Sequence, residues 1–286
     1  MNLELALEPT YLLDVRYRQA KHFIVIGAGG NGGYYIPQLA RAVSLANKVA
    51  KIENRPEHVI TIIDADHVED KNLTRQNFLP RDVGENKAKV MADRYGRAFG
   101  IEINYIDEYI EDSQMLHNIV NGASAMPVVV GAVDNNKTRA IVYEIFKKRS
   151  GMFWLDAGNE EWGGQVVLGH NSSGLKPQKG NKNPHYFDIP CVADIYPEIL
   201  DGQDKLPTEL SCAERAVSNP QNIYTNMTAA NIMMGFSNTL LTANASEGVG
   251  LKQHAVAFNA ETISQTTTLN KYRYLVKDEE KQEVEA

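Results

Sequence analysis

The segment IIDADHVEDKNLTRQNF carries Asp64, Asp66, Asn72, Arg75 and Gln76, Lys87 follows in VGENKAK, and Asp134 lies in VVVGAVDNNKTR. This set suits the binding of a polyanion. An arginine can hold two phosphate oxygens at once, and a lysine supplies a compact point charge. With Asn72 beside them, Arg75 and Lys87 would line a triphosphate. A carboxylate near a triphosphate is a natural ligand for Mg²⁺, which takes one or two carboxylates and the phosphates themselves. Asp134 has that place in the chain.

These residues need a scaffold that gathers them at one end, and HFIVIGAGGNGGYYI (residues 22–36) supplies its signature. An apolar run leads into GAGGNG, which fits G-x-G-x-x-G with Gly27, Gly29 and Gly32 in register. Glycines let the backbone turn tightly and approach a phosphate, and the free N–H groups of the following helix face that phosphate. Nicotinamide, flavin and ATP sites all use such a turn, so the glycines alone leave the ligand open. Asp64 closes the next apolar run, HVITIID, where an acid can accept hydrogen bonds from ribose hydroxyls. Its distance from the glycines exceeds the usual spacing of about 20 residues. A long first helix and the ENRPEH loop account for the difference.

The remaining pattern repeats strand and helix. FIVIG (23–27), HVITIID, IEINYID (101–107), MPVVVGAVD and MFWLDAGN read as strands, and several end on acid. Residues 31–50, with a proline near the first turn, then 85–99, 111–121 and NNKTRAIVYEIFKKR read as helices. Fully apolar strands alternating with helices predict an α/β, Rossmann-like fold: a mostly parallel sheet covered by helices on both faces. Residues 170–212 are rich in glycine, proline and asparagine and read as a long crossover loop. NIYTNMTAANIMMGFSNTLLTAN reads as a buried helix, residues 254–269 as a C-terminal β-hairpin, and 276–286 as a charged, disordered tail. Residues 1–275 are expected to form one domain.

Bulk properties narrow the partners. The chain has 286 residues, 43% of them apolar and 23% charged, with a formal net charge of -7. That balance argues against broad binding to DNA or an acidic membrane surface. Two cysteines, Cys191 and Cys212, make neither a disulfide framework nor a four-cysteine zinc site. The acidic, non-periodic start does not read as a signal peptide, and no run approaches the length of a membrane span. A cytoplasmic location is expected. His67, His170 and His185 have no metal-ligand spacing, and Trp154 and Trp162 read as packing residues.

G-x-G-G-x-G, then D-x-D-x-V-x-x-x-N-L-x-R-Q, then a lysine, then D-N after an apolar strand, resembles the ThiF/MoeB family, the ATP-binding part of ubiquitin-activating enzymes. The likeness covers roughly residues 20–240. GNEEWGGQVVLG, SCAE and the downstream helix are most similar to bacterial operon-encoded PRTRC-type ThiF proteins. The resemblance implies an adenylyltransferase that joins AMP to the C-terminal glycine carboxylate of a ubiquitin-like or sulfur-carrier protein and releases pyrophosphate. By the same likeness Gly30 and Asp64 hold the nucleotide, and Asn72, Arg75 and Lys87 line the phosphates. Asp134 holds Mg²⁺ with Asn135 next to it, Asp66 and Gln76 complete the binding block, and Cys212 accepts the activated acyl group. A thiolate near a helix start has a lowered pKa and is the better nucleophile; Cys191 is the second candidate.

The chain departs from relatives that carry two CxxC pairs, so no zinc is expected. Arg16 and Arg18 lie too close to the first strand to match the N-terminal arginine that many relatives place in a partner subunit, which leaves a homodimer expected but its arginine unassigned. A downstream conjugating enzyme is a further implied partner. Competing readings are a nicotinamide-dependent oxidoreductase, with no role for Arg75, Lys87 or Asp134, and a non-catalytic ThiF-like scaffold. Some relatives adenylate a tRNA-bound carboxylate or a small peptide instead.

Overall fold

The computed structural model describes residues 19–122, 124–171, 188–202, 222–242 and 251–269. Cys212, His185, Arg16, Arg18 and the C-terminal tail lie outside them.

Apolar segments buried away from water must satisfy their backbone groups on one another, and they pair edge to edge into one eight-stranded sheet. The strands are β1 (Lys21–Ile26), β2 (Val59–Ile63), β3 (Ile103–Ile106), β4 (Met126–Gly131), β5 (Met152–Asn159), β6 (Gly163–Asn171), β7 (Gln253–Asn259) and β8 (Ser264–Leu269). Their order is β3-β2-β1-β4-β5-β6-β7-β8. The first five are parallel, and β6, β7 and β8 add antiparallel pairings. Register is tight at the centre, where Ile26 stands opposite both Ile63 and Gly131. The three turns that leave these positions therefore start level with one another.

Helices α1 (Gly30–Ile52), α2 (Lys87–Phe99) and α6 (Ile223–Thr242) cover one face. Helices α3 (Ser113–Asn121), α4 (Asn136–Lys148) and the single turn α5 (Val192–Ile195) cover the other. Alternation along β1 divides the core between the layers: Phe23 and Val25 pack under α1, while Ile24 and Ile26 pack toward α3 and α4. Each large side chain buried in this way contributes about 1.5–3 kcal/mol. The helix starts are chemically marked. Asn86, Asp112 and Asn135 each accept a backbone N–H in the first turn of α2, α3 and α4. Gly100, at φ 65°, ends α2 in a left-handed cap.

The α/β, mostly parallel architecture and the terminal hairpin match the sequence reading. Strand β6 was not foreseen, and it is the strand that converts the sheet to antiparallel pairing. Residues 188–202, inside the expected crossover loop, pack closely where described: Ile189 exchanges backbone hydrogen bonds with His170 at 3.0 and 2.9 Å, and Cys191 and Val192 are buried. Strand β8 is exposed along its whole length. No described helix is long and apolar enough to cross a membrane.

Candidate active site

Chain order reverses at β1: β2 lies on one side and β4 on the other. In open α/β sheets the crevice at the carboxyl ends of such strands receives ligands. The glycine loop leaves β1 here. Gly27 has φ 97°, and a Cβ on it would stand 2.6 Å from the Ala132 carbonyl oxygen. A Cβ on Gly32 would stand 1.9 Å from the Gly27 oxygen, so α1 seats directly on the loop only because both lack side chains. Gly30 is the first residue of α1, and no side chain caps that helix at Gly29. Its first-turn N–H groups are therefore donors for a ligand.

Asp64 follows β2. Its Oδ2 accepts the Ala28 N–H at 2.7 Å and its Oδ1 accepts the Asp66 N–H at 2.9 Å. Burial pushes this carboxyl up to about 6, against the pull of nearby Lys87. Asp64 thus fastens the glycine loop to the end of β2, and each oxygen keeps a further lone pair for a ribose hydroxyl. Asp66 is exposed and takes the Lys87 ammonium at 2.9 Å, together with the Tyr109 hydroxyl. The Lys87 side chain is only 7% exposed, with its cation held at the mouth by Asp66.

Asn72 uses its two oxygens for architecture. It is buried, its Oδ1 accepts the Glu69 N–H at 2.9 Å, and its carbonyl accepts the Arg75 and Gln76 N–H groups at 3.1 and 2.8 Å. It shapes the turn that presents those two residues. Gln76 lies beneath Gly29, its Nε2 3.4 Å from where a Cβ would be. Its buried Oε1 has no hydrogen-bond partner among the described residues. Asn77 donates to the Gly33 carbonyl at 3.0 Å and pins the segment to α1.

From the β4 side, Asp134 is exposed on the turn into α4. Asn135 is committed to capping, its Oδ1 accepting the Thr138 N–H at 2.8 Å. Arg139, unremarked in the sequence reading, sets this turn: it donates to the Val133 carbonyl at 2.7 Å, to Asn136 Oδ1 at 3.1 Å and to Asp156 Oδ1 at 3.0 Å. Asp156 is buried in β5, and burial raises its carboxyl pKa while Arg139 lowers it. The sequence signal was an acid inside an apolar strand, which demands a buried partner. No three His, Cys, Asp or Glu side chains converge among the described residues. A lone exposed carboxylate such as Asp134 suits an ion whose other ligands are phosphates and water.

Cys191 lies far from this chemistry in character. It is fully buried, its thiol donates to Asp194 Oδ2 at 3.2 Å, and burial, aided by Asp194, pushes its pKa up to about 12. A thiol so held stays protonated and makes a poor acceptor. His170 stacks on Phe153 with ring centroids 4.3 Å apart, and Trp154 is buried in the core, both as packing groups. Trp162 is exposed at the β5–β6 turn, contrary to its reading as a packing residue.

No curated protein sequence matches the chain. Among solved structures it is similar to E. coli MccB with ATP, at 19% identity and a TM-score of 0.58, over 90% of this chain and 65% of that one. PaaA is similar at 17% identity and a TM-score of 0.55, over 89% and 65% of the two chains. The chain thus spans just under two thirds of the length of these neighbours, and the likeness establishes the fold. The glycine loop, the acid after β2 and the acid after β4 leave the ends of neighbouring strands, Gln76 packs beneath Gly29, and the ThiF family model matches residues 14–280: the chain belongs to the ThiF family.

Proposed function

We propose that the protein uses ATP to adenylate a C-terminal carboxylate of a peptide or small carrier protein. The observation that carries this reading is an uncapped helix start after β1, tied to Asp64 after β2 and packed on Gln76 of the Arg75 turn, with Lys87 paired to Asp66 and Asp134 on the turn after neighbouring β4. The nicotinamide reading gives no role to Arg75, Lys87 or Asp134. E. coli MccB, a structural neighbour, has been solved with ATP and with AMPCPP and MccA together.

In the proposed reaction a carboxylate oxygen bonds to the α-phosphorus, and the bond to the oxygen bridging the α- and β-phosphates breaks. Pyrophosphate leaves with that electron pair. Such a step needs in-line positioning and charge neutralisation more than a base. Asp64 orients the ribose, and the N–H groups at Gly30 and its neighbours receive phosphate oxygens. Arg75 and Lys87 offset the charge that builds on pyrophosphate, Lys87 turning from Asp66 to do so. Asp134 would hold Mg²⁺, which supplies further neutralisation when bound.

The finer reading takes the acceptor as the C-terminal glycine of a ubiquitin-like or sulfur-carrier protein. Transfer to Cys212 would then form a thioester and release AMP, with a conjugating enzyme downstream and the enzyme working as a homodimer.

The test is thermal unfolding with ATP and Mg²⁺, with NAD, and without ligand, for wild type and Asp134→Ala. A ligand at 100 times its Kd stabilises the fold by about 2.7 kcal/mol, a shift of several degrees. Stabilisation by ATP and Mg²⁺ that weakens in the variant supports the reading. Stabilisation by NAD alone overturns it.

A further inference from the structure

Three asparagines stand end to end behind the Arg75 turn. Asn31, in the first turn of α1, donates its amide to Asn159 Oδ1 at 2.7 Å. Asn159, the last residue of β5, donates to Asn226 Oδ1 at 3.0 Å. Asn226, in the first turn of α6, donates to the Arg75 main-chain carbonyl at 3.4 Å, the longest link. Asn226 is fully buried and Asn31 is 7% exposed.

The direction of this row is fixed by chemistry. A backbone carbonyl only accepts, so Asn226 must turn its NH₂ to Arg75 and its oxygen to Asn159. The same logic then orients Asn159 and Asn31 in turn. Reversing any one amide would set oxygen against oxygen or NH₂ against NH₂. Buried amides cost stability unless paired, and packing alone at the junction of α1, β5 and α6 would favour apolar residues. The turn's own hydrogen bonds, from Arg75 and Gln76 back to Asn72, fix its shape but not its place. Asn77 holds its far side to α1 through Gly33. The asparagine row supplies a second hold, which starts from the helix turn that carries the free N–H groups.

We propose that Asn31, Asn159 and Asn226 form a directional amide relay of positioning residues, setting the Arg75 turn against the glycine loop so that both meet the same triphosphate. This rests on the nucleotide reading above. The relay acts through Arg75 and touches no reacting atom. Its loss should therefore be felt by ligands with a triphosphate and not by AMP, which Asp64 and the loop hold without Arg75.

The experiment is calorimetric or fluorescence titration of the full chain with ATP and with AMP. The proteins are wild type, Asn226→Ala, Asn159→Ala, Arg75→Ala and the double variant Arg75→Ala/Asn226→Ala. Asn226→Ala is expected to weaken ATP about tenfold and AMP less than about twofold. Adding it to Arg75→Ala is expected to cause no further loss. Equal losses for ATP and AMP, an additive loss in the double variant, or unchanged ATP affinity would each overturn the relay. Should Asn226→Ala fail to fold, Asn159→Ala, at a partly exposed position, carries the same test. A wild type that binds no ATP overturns the nucleotide reading itself, and that result is read before any variant is made.

Discussion

Replacing His58 with asparagine should change how stability depends on pH more than it changes stability itself. His58 Nδ1 accepts the Lys21 N–H at 3.1 Å, and Asn47 brackets its backbone, donating to its carbonyl at 3.0 Å and accepting its N–H at 2.7 Å. Burial, with the charges of Lys21 and Arg55, pushes the imidazole from 6.5 down to about 4. A proton on Nδ1 would also set donor against donor at Lys21. Because the folded value lies below the unfolded one, the unfolded chain binds more protons between these limits. Stability from this group is complete above pH 6.5 and drains away as pH falls toward 4. The difference is worth about 3 kcal/mol, or roughly 6 °C in Tm for a chain of this size. Asp64 works in the opposite sense: its pKa is raised from 3.8 to about 6, so it favours the fold increasingly as pH falls through that range. The wild-type profile alone is therefore flatter than either group would make it, and the variant must be subtracted. Urea melts of wild type and His58→Asn at half-unit steps from pH 7.5 to 4.5 give the two profiles. Relative to the variant, wild type should lose about 2.5 kcal/mol between pH 7.5 and 4.5. Parallel profiles would refute the reasoning.

Gly32→Ala places a methyl 1.9 Å from the Gly27 oxygen, a clash with backbone. It should cost about 1–3 kcal/mol in urea melts and abolish stabilisation by ATP, since loop and helix must separate. Arg139→Met removes the ion pair of buried Asp156 and should cost about 3–5 kcal/mol, largely recovered in Arg139→Met/Asp156→Leu; chemical denaturation of wild type and the two variants measures both figures. Native protein treated with iodoacetamide should leave Cys191 unmodified by peptide mass spectrometry, and label it only after denaturation, because its thiol is buried and protonated. ATP affinity should fall as pH drops through about 6, where Asp64 takes a proton, and Asp64→Asn should bind weakly with no such dependence.

Much of this fold could be read from local pattern, because buried parallel strands are written as unbroken apolar runs. FIVIG and PVVVG each stop where the chain turns toward the crevice, and the acids or glycines that follow mark the ligand side. Strand β6 escaped because glycines flank it, and its pairing is fixed by β5 and β7 rather than by its own alternation. Among candidate site residues, type and spacing singled out the Asp64 to Lys87 block but not the hydrogen bonds each member makes. Asn72 reads as a phosphate-lining residue by type, and only the folded structure shows that its oxygen also shapes the turn before Arg75. Arg139 and the three asparagines were invisible for a general reason. Asparagine signals turns and caps locally, and only tertiary contact joins positions 31, 159 and 226 into a row. Cys191 shows the converse, since a reactive residue type is silenced by its surroundings.

The pairing of β1 with β4 has a consequence for how the protein is made. Residues 21–26 leave the ribosome about a hundred residues before their partners at 126–131. The carbonyl at Ala132 that closes over Gly27 follows just after. Until then the glycine loop has β2 on one flank and nothing on the other. The carboxamide of Asn226 arrives later still. A nascent chain therefore carries the glycine loop well before the partners that flank and brace it. The crevice is assembled by contacts distant in sequence, the slow kind to form, and is complete only once the residues of β4 and Asn226 have been made.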